Sequence, residues 1–383
     1  MQGAAMNGRI ARMTGMPPNP MSSATVPKSA DVLILGAGVS GLATAWALAS
    51  RGIEVCVLER GPVARESTWA GAGILSLLLP WHYLEPVVTL AEHGRRLWPA
   101  WLDRLQALTG LDAEYRITGM LVAEAGELAT ARTWGERHGW RVEVAPPEFV
   151  PACPLPDGGV WLPEVAQVRN PRLARLLESA VRALGVQVLP HTAATGLTIA
   201  QGRLTGVETP AGRFTCAHAV VCAGAWSRGL LGTLALGVDI RPVRGQILLL
   251  RARPDLVPAV VYRGGRYLVP RADGHVLVGS TLEEAGFDKS TTAQATAALL
   301  DFARQACPAL VQATVARQWA GLRPGSPGNV PTIARHPEVA GLWLNAGHFR
   351  YGLTMAPAAA ELIAAAILGE VLALDPAPYA WPR

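Results

Sequence analysis

The stretch DVLILGAGVSGLATAWALASRGIEVCVLERG, which runs from Asp31 to Gly61, decides the fold class of this chain. It contains a short apolar strand pattern at 32–35, the glycine-rich turn GAGVSG, an apolar helix pattern at 42–50 and a second strand pattern that ends at Glu59. A GxGxxG turn between a strand and a helix, followed by an acid roughly 20 positions later, is typical of a dinucleotide-binding Rossmann unit. The stretch therefore predicts an α/β protein with a Rossmann-like domain.

Residues of this fingerprint have separate physical roles around an ADP-ribose group. Gly36 permits the tight turn, Gly38 lets the backbone approach a pyrophosphate, and Gly41 allows close packing of the helix on the strand. The positive end of the helix faces the phosphates, and Glu59 can accept hydrogen bonds from ribose hydroxyl groups. An acid here, with no arginine in its place, disfavours a 2′-phosphate, but the fingerprint does not separate FAD from NAD.

A second glycine-rich stretch follows, RESTWAGAGILSLLLPW at 65–81. Its Ser-Thr pair and its glycine turn suggest that more backbone is laid against a large ligand, although an ordinary loop explains the same pattern. The apolar run from Val32 to Ala49 is close to the ~20 residues that a membrane helix needs. Its glycines and the acid that follows indicate the dinucleotide site instead, so we predict no membrane span.

Length and composition bound the class of protein. A chain of 383 residues exceeds the usual size of a single core, so two domains are expected. Half of the residues are hydrophobic and 16% are charged, which favours a compact globular protein. The net charge of +5 includes Arg9, Arg12 and Lys28, and the first 30 residues contain no acid. The remainder is close to neutral, which argues against nucleic acid as a partner.

The five cysteines are odd in number and scattered along the chain: Cys56, Cys153, Cys216, Cys222 and Cys307. Since no CxxC pair or Cys/His cluster occurs, the sequence indicates neither a metal site nor a disulfide framework, and we expect a reducing cytoplasm as the location. Residues 1–27 lack acids and lack the apolar segment of a secretory signal. We interpret them as a disordered tail or as the result of a start codon assigned too far upstream, with a transit peptide as the weaker alternative.

Eight motifs beyond residue 30 together resemble the D-amino-acid-oxidase family of flavoenzymes, and within it the ThiO-type glycine oxidases of thiamine biosynthesis. One such motif would be weak, whereas eight in the family's order and at plausible separations are specific. The resemblance covers essentially all of the chain after residue 30. The motifs are GAGVSG (36–41), ESTWAGAGILS (66–76), VRNPRL (168–173), CAGAWS (222–227), VRGQ (243–246), GRYLVPRADGHVLVGSTLEEAGFDK (265–289), WAGLRPGSPG (319–328) and GHFRYGL (347–353).

The resemblance implies a non-covalent FAD that is held by five parts of the chain. The loop 348–354 matches the family segment that lies against the isoalloxazine ring, and Val168 matches a backbone contact to the adenine half. The residues expected to contact FAD are Gly36, Gly38, Val39, Ser40, Gly41, Glu59, Arg60, Ser67, Thr68, Ala72, Gly73, Ile74, Val168, His348, Phe349, Arg350, Tyr351, Gly352, Leu353 and Thr354.

Three polar residues match the family's substrate pocket. Arg350 matches the arginine of the GHxR motif that grips the substrate carboxylate, and Tyr267 and Arg323 match the other two. A charge-assisted guanidinium–carboxylate pair contributes about 1.5–3 kcal/mol and is geometrically strict, which suits an amino acid whose Cα must be fixed beside flavin N5. The alternatives from chemistry alone are an ion pair with a core acid for Arg350 and simple strand packing for Tyr267.

The resemblance implies oxidation of the amine of glycine, sarcosine or a small D-amino acid. Hydride would pass from Cα to flavin N5, and O2 would then reoxidise the flavin to give hydrogen peroxide. The imino acid would hydrolyse to glyoxylate and ammonia or pass to a thiazole synthase. We nominate no catalytic histidine, because positioning of a neutral amine carries most of the catalysis, and His348 is assigned a structural or flavin-facing role. The family also implies a homo-oligomer, namely a homotetramer.

The same motifs divide the chain into two expected domains. A discontinuous FAD-binding domain takes residues 28–80, 150–235 and 318–383, and a substrate domain takes 81–149 and 236–317. The second holds alternating strand patterns in which Asp273-Gly274 makes a hairpin turn, so an antiparallel sheet is predicted there. We expect the active site between the domains.

Four positions depart from the usual glycine-oxidase sequence motifs. Ala72 interrupts a glycine run, Leu77 and Thr332 replace a proline and an aromatic residue, and Tyr351 replaces an asparagine. Because Tyr351 follows the substrate arginine, the departure bears on pocket size. A broader D-amino-acid oxidase or dehydrogenase therefore remains an alternative. So does a non-catalytic flavin-binding subunit of a heteromeric oxidase, whereas a covalent flavin is disfavoured because no cysteine follows Cys307.

Overall fold

The structure, a computed structural model, describes residues 28–149, 152–154 and 159–382. The predicted disordered tail at 1–27 lies outside the described residues. The strands, in chain order, are β1 (Ser29–Leu35), β2 (Val55–Leu58), β3 (Ile74–Leu75), β4 (Arg116–Ile117), β5 (Met120–Val122), β6 (Glu143–Val144), β7 (Val160–Leu162), β8 (Ala166–Gln167), β9 (Gln187–Leu189), β10 (Gly196–Ala200), β11 (Arg203–Glu208), β12 (Phe214–Val221), β13 (Arg241–Arg251), β14 (Val260–Arg263), β15 (Arg266–Pro270), β16 (His275–Gly279), β17 (Thr314–Gly325), β18 (Thr332–Arg335) and β19 (Leu342–Ala346).

The α-helices are α1 (Val39–Ala49), α2 (Ser67–Ala70), α3 (Glu85–Thr109), α4 (Leu128–His138), α5 (Asn170–Ala183), α6 (Ser227–Leu231), α7 (Ala293–Ala306) and α8 (Gly352–Leu368). The two most apolar of them, α1 and α8, bury nine of eleven and eleven of seventeen residues. They do so because they pack on each other while α1 also packs on α5 and α8 on α3. No helix among the described residues is long and apolar enough to cross a membrane.

The first sheet contains the predicted Rossmann unit. Its strands follow the order β10-β11-β12-β1-β2-β9, and β19 with β18 extends from β12. The strands β9, β2, β1, β12 and β19 pair in parallel with one another in this order. The pairs β11–β12 and β18–β19 are antiparallel. Parallel strands need helical crossovers on the sheet faces, which explains why β1 and β2 are apolar runs rather than alternating patterns.

The second sheet is mostly antiparallel and has the order β17-β13-β16-β15-β14-β5-β7-β6. Only β14 and β5 pair in parallel within it. The strands β15 and β16 form a hairpin in which Gly274 has a φ of 81°, a conformation that glycine adopts without a steric penalty. The predicted Asp273-Gly274 hairpin is therefore present, and the α/β fold class is confirmed.

Two elements lie across the predicted domain division. The helix α3 belongs by sequence to the predicted substrate domain, yet it packs on α5 and α8 beside the first sheet. A Cβ atom at Gly94 of α3 would lie 2.2 Å from the carbonyl oxygen of Thr354, so the two helices approach very closely there. Conversely, β7 at 160–162 pairs with β5 and β6 of the second sheet. The domain boundaries themselves stay a prediction.

Candidate active site

One cavity of about 570 Å³ lies between the two sheets. The carboxyl ends of β1 and β2 and the turns after them line one part of it, and strands β13, β15 and β17 line another. The segment Asn345–Leu353, which links β19 to α8, also lines the cavity. Ligand sites at the carboxyl ends of parallel strands and between domains are the common arrangement in α/β proteins.

The first glycine turn presses backbone against backbone. Gly36 has a φ of 116°, and a Cβ atom on it would lie 2.6 Å from the carbonyl oxygen of Cys222. A Cβ atom on Gly41 would lie 1.9 Å from the carbonyl oxygen of Gly36. Both positions therefore exclude any side chain. The helix α1 begins at Val39, whose N–H donates to the hydroxyl of Thr68 at 2.9 Å.

The carboxylate of Glu59 is held at the end of β2 by two backbone groups. The N–H of Ala37 donates to Oε2 at 2.8 Å and the N–H of Gly61 donates to Oε1 at 2.9 Å. Next to it, the guanidinium of Arg60 lies 3.5 Å from the ring centroid of Trp226. Trp226 lines the cavity too, although it is not among the residues predicted for the site. Its signal was the CAGAWS motif.

The second glycine turn lies against the segment before α5. A Cβ atom on Gly73 would lie 1.9 Å from the carbonyl oxygen of Val168 and 2.6 Å from Oδ1 of Asn170. The side-chain amide of Asn170 donates to the carbonyl oxygen of Thr68 at 2.7 Å. Its buried Oδ1, which also belongs to the cavity wall, has no hydrogen-bond partner among the described residues. This oxygen can accept a hydrogen bond from a ligand.

Arg323 and Tyr267 enter the cavity from β17 and β15 of the second sheet, which are separated by β13 and β16. Two glycines make room for them: a Cβ atom on Gly245 would lie 2.1 Å from the Arg323 guanidinium, and one on Gly279 would lie 2.4 Å from the Tyr267 ring. Nη2 of Arg323 donates to the hydroxyl of Ser280 at 2.6 Å. Burial lowers the pKa of Arg323, which the nearby Tyr267 partly offsets and the positive charge of Arg350 reinforces.

Arg350 follows a strained residue at the other side of the same pocket. Phe349 has a φ of 47°, and its N–H donates to the carbonyl oxygen of Pro324 at 3.0 Å. The Arg350 guanidinium lies 5.7 Å from the Phe349 ring centroid. Within the described residues, neither Arg350 nor Arg323 has a carboxylate within ion-pair distance, although eighteen ion pairs occur elsewhere in that part of the chain. Two cations therefore face one pocket, and neither forms an ion pair with an acid of the described chain.

The two residues that flank Phe349–Arg350 are buried. His348 is 2% exposed, and burial lowers its pKa to about 4, so its imidazole is neutral at pH 7. Its Nε2 has no partner among the described residues. Tyr351 is 3% exposed, shares a hydrogen bond with the hydroxyl of Tyr83 and meets that ring edge-on at 5.0 Å. Burial, reinforced by Tyr83, raises the pKa of Tyr351 well above its ordinary value.

Most of the predicted site residues line this cavity, and three lie one layer behind it. Gly41 packs α1 on the turn, and Val168 contacts Gly73 through its backbone. The hydroxyl of Thr354 donates to the carbonyl oxygen of Ile74 at 3.3 Å. Sequence reasoning did not assign several cavity-lining side chains, because their motifs carry no chemical signature of their own: Arg65, Asn170, Cys222, Trp226, Ser280 and Phe287.

These residues fit FAD. The cavity joins the glycine turn at the start of α1, where backbone N–H groups and the positive helix end suit a diphosphate, to the pocket around Arg350. Its glycine-lined walls leave room for a flat, extended ligand, and Asn170 Oδ1 and His348 Nε2 are buried polar atoms without a protein partner in the described chain.

A family model described as FAD dependent oxidoreductase, DAO, matches residues 31–366. The chain belongs to the DAO family. FAD is accordingly its cofactor, and the protein is an FAD-dependent oxidoreductase. The resemblance that the eight motifs indicated is confirmed.

Relatives within the DAO family carry more specific names. Glycine oxidase of Pseudomonas putida is 43% identical over 92% of this chain and 98% of its own length. The bifunctional protein ThiO/ThiG of Trichormus variabilis is 35% identical over 87% of this chain, which corresponds to 52% of that protein. The solved structure of glycine oxidase from Geobacillus kaustophilus superposes with a TM-score of 0.87 at 28% identity, over 93% of this chain and 99% of that one.

We expect Gly36→Ala to abolish FAD binding, because the added Cβ would meet the Cys222 carbonyl in a backbone conformation that alanine rarely adopts. Gly52→Ala is the matched control, since Gly52 has a φ of 80° but nothing within 4 Å of a Cβ. The control should cost about 1 kcal/mol of stability and keep FAD. Flavin absorbance of the two purified proteins measures bound FAD, and urea unfolding measures the stability cost of the control. A yellow Gly36→Ala protein would contradict the assignment of the turn.

We expect His348 to make the apoprotein less stable as the pH falls from about 6.5 to about 4. In this window the unfolded state binds a proton on His348 and the folded state does not, so the free energy of unfolding decreases. The loss is on the order of 3 kcal/mol. Urea unfolding of wild type and His348→Gln at pH 7 and pH 4.5 measures it, and equal pH slopes in the two proteins would refute the buried neutral imidazole.

Proposed function

We propose that this protein oxidises glycine and other small amino acids, with sarcosine and small D-amino acids as further substrates, and produces hydrogen peroxide. One observation carries the proposal: Arg350 and Arg323 face the cofactor cavity beside Tyr267 without a protein carboxylate within ion-pair distance in the described chain. A half-buried pair of cations needs an anion, and the carboxylate of an amino acid supplies it. The relatives named glycine oxidase support the identity of that amino acid.

The proposed substrate contacts follow from the directions of these side chains. Arg350 binds the carboxylate in a two-point contact, and the Tyr267 hydroxyl can donate to the same group. Arg323 is held by Ser280 at 2.6 Å and by the Thr281 carbonyl oxygen at 3.4 Å, so its charge is fixed at the pocket wall. These contacts orient Cα and exclude water from it, which is the main catalytic contribution that the protein has to make.

Bound FAD supplies the two-electron acceptor for the Cα hydride and the site at which O2 is reduced. No carboxylate lines the reacting end of the described cavity. The acids that line it are Glu59, which accepts two backbone N–H bonds, and Glu66, which pairs with Arg60 and Lys289. His348 is neutral because burial lowers its pKa to about 4. This set of residues suits a substrate that arrives with a neutral amine.

We assign the proposed FAD contacts to the residues predicted from the sequence. Those that line the cavity are Gly36, Gly38, Val39, Ser40, Glu59, Arg60, Ser67, Thr68, Ala72, Gly73, Ile74, His348, Phe349, Arg350, Tyr351, Gly352 and Leu353. Gly41, Val168 and Thr354 support that wall from behind. Non-covalent attachment is part of the proposal, and each of the five cysteines is free.

A D-amino-acid oxidase of broader range is the nearest alternative, but the glycine oxidases among the relatives favour small substrates. Tyr351 adds a buried ring next to Arg350 and is braced by Tyr83, which leaves less room for a substrate side chain. A non-catalytic flavin-binding subunit is disfavoured because it would have no use for the two arginines. We keep glycine as the preferred substrate.

The relatives named ThiO/ThiG support a place in thiamine biosynthesis, where the glycine imine serves the thiazole moiety. In these fusions the part similar to this chain is about half of the protein, which is compatible with direct handover to a thiazole synthase. We propose such a handover here, together with a homo-oligomeric state and a cytoplasmic location. Sedimentation of the purified protein would test the oligomeric state, and fractionation of cells would test the location.

A peroxide assay tests the proposed function directly. The purified protein should be yellow, release FAD on acid or heat treatment, and form hydrogen peroxide with glycine faster than with D-alanine or D-proline. Faster turnover of D-proline would favour the broader oxidase. A flavin-loaded protein that forms no peroxide with any of these amino acids, and reduces no added dye, would overturn the proposal.

We expect Arg350→Ala to lower kcat/KM for glycine by roughly 10- to 150-fold, because the loss of a charged hydrogen-bonded pair costs about 1.5–3 kcal/mol. The effect should lie mainly in KM, and FAD should stay bound. Arg335→Ala, which removes an exposed arginine of β18, is the matched control and should leave the kinetics unchanged. Steady-state kinetics with glycine measure both, and wild-type kinetics for Arg350→Ala would exclude its role in binding the carboxylate.

A further inference from the structure

Arg271 is a buried arginine that the proposed reaction does not use. It follows β15 at the end of the hairpin strand and is 7% exposed. Within the described chain no carboxylate lies at ion-pair distance from it. The acids with the largest influence on it, Glu114 and Asp273, are both bonded to Arg169, at 3.1 Å and 2.7 Å. Arg271 therefore carries a positive charge into the interior without an acid of its own.

Three carbonyl-type oxygens satisfy the guanidinium instead. Nη1 donates to Oε1 of Gln167 at 2.8 Å and to the backbone oxygen of Val168 at 2.9 Å. Nη2 donates to the backbone oxygen of Ala72 at 2.8 Å. Gln167 in turn donates through Nε2 to the hydroxyl of Thr118 at 2.9 Å, so its side-chain oxygen is aimed at Arg271. This network is built from neutral acceptors only.

The two backbone oxygens belong to two segments that meet at the cofactor cavity. Ala72 lies in the second glycine turn, which lines the cavity with Gly73 and Ile74. Val168 lies on the segment behind that turn, so close that a Cβ atom on Gly73 would be 1.9 Å from its carbonyl oxygen. Arg271 comes from the second sheet and bonds both segments at once. The guanidinium thus joins three parts of the chain at the back of the cavity wall.

Placing a cation here is expensive, and a neutral residue of similar shape would avoid the cost. Burial lowers the pKa of Arg271 to about 10, which still leaves it charged at pH 7. A planar group with five donors can serve three acceptors that lie in different directions, whereas an ammonium group on a flexible stem cannot hold them in one plane. The free-energy cost of burying this charge is explained if the guanidinium stabilises a ligand bound in the cavity.

We propose that Arg271 is a positioning residue for FAD, which holds the turn 72–74 against the segment 167–170 and keeps a positive charge behind the wall that the anionic cofactor contacts. The inference rests on the proposed assignment of this cavity as the FAD site. It differs from the substrate role of Arg350 and Arg323, because Arg271 touches neither the substrate pocket nor the cavity itself. Its effect is on cofactor affinity and not on glycine binding.

FAD titration of the apoprotein, followed by flavin fluorescence, tests the proposal. We expect Arg271→Met to raise the dissociation constant of FAD at least tenfold, and Arg271→Lys to recover part of the loss because it keeps the charge. The rise in the thermal midpoint that FAD produces should shrink in the same order. If Arg271→Met does not fold, Arg271→Lys and Gln167→Met, which removes one acceptor, should each weaken FAD binding by several fold.

Arg244→Met is the matched control. Arg244 is another buried arginine of the second sheet, but it pairs with Glu283 and Asp288. Its loss should lower the thermal midpoint of apoprotein and holoprotein alike and leave the FAD dissociation constant within threefold. The same pattern in the Arg271 variants, with lower stability and unchanged FAD affinity, would overturn the proposal and leave Arg271 a structural residue.

This experiment separates the inference from the proposed function. Variants of Arg271 saturated with FAD should keep the wild-type KM for glycine, while the unsaturated proteins lose activity in proportion to lost flavin. If the wild-type protein binds FAD but oxidises no glycine, the proposed function fails and the FAD titration still decides the role of Arg271. A raised glycine KM in an FAD-saturated variant would contradict a role confined to the cofactor.

Discussion

The close approach of backbone to backbone at the ends of β1 and β12 is the constraint on which the rest of this structure depends. Gly36 lies against the carbonyl oxygen of Cys222, and Gly41 lies against Gly36, so the first turn of α1 sits directly over the sheet. Only glycine tolerates both contacts. They bring the positive end of α1 to the cavity, and the second turn repeats the arrangement where Gly73 meets Val168. The cofactor wall is therefore made largely of backbone.

Charges around the cavity are arranged in a way that only a ligand can complete. Glu59 is satisfied by two backbone N–H groups at the nucleotide end, whereas Arg323 and Arg350 at the other end have no acid within ion-pair distance in the described chain. Arg271 lies behind the wall with neutral acceptors alone. Cations without protein partners cost stability in the apoprotein, and in the proposed function the substrate carboxylate and the anionic cofactor offset that cost. The same unpaired positive charges thus favour binding of anionic ligands and fix their position in the cavity.

The departures from the usual glycine-oxidase motifs differ in whether they line the cavity. Leu77 is 1% exposed and Thr332 is 8% exposed, and neither lines the cavity, so nothing in the structure ties them to substrate choice. Tyr351 is different, because it lines the cavity and its hydroxyl is bonded to Tyr83. Tyr83 comes from the segment before α3, which the sequence offered no reason to connect with residue 351. The tyrosine pair links a segment that is distant in the chain to the residue next to Arg350.

The sequence by itself determined the Rossmann unit, the family and most of the cavity wall, because GxGxxG, Glu59 and the GHxR loop are local patterns whose geometry follows from a few neighbouring residues. Tertiary structure alone decided the packing of α3 on α8 across Gly94 and Thr354 and the place of β7 in the second sheet. It also decided the pairing of Tyr83 with Tyr351 and the three-way bond of Arg271. These depend on contacts between residues that are distant in the chain. Local periodicity cannot report them, because burial and hydrogen-bond partners arise only when the two sheets close around the cavity.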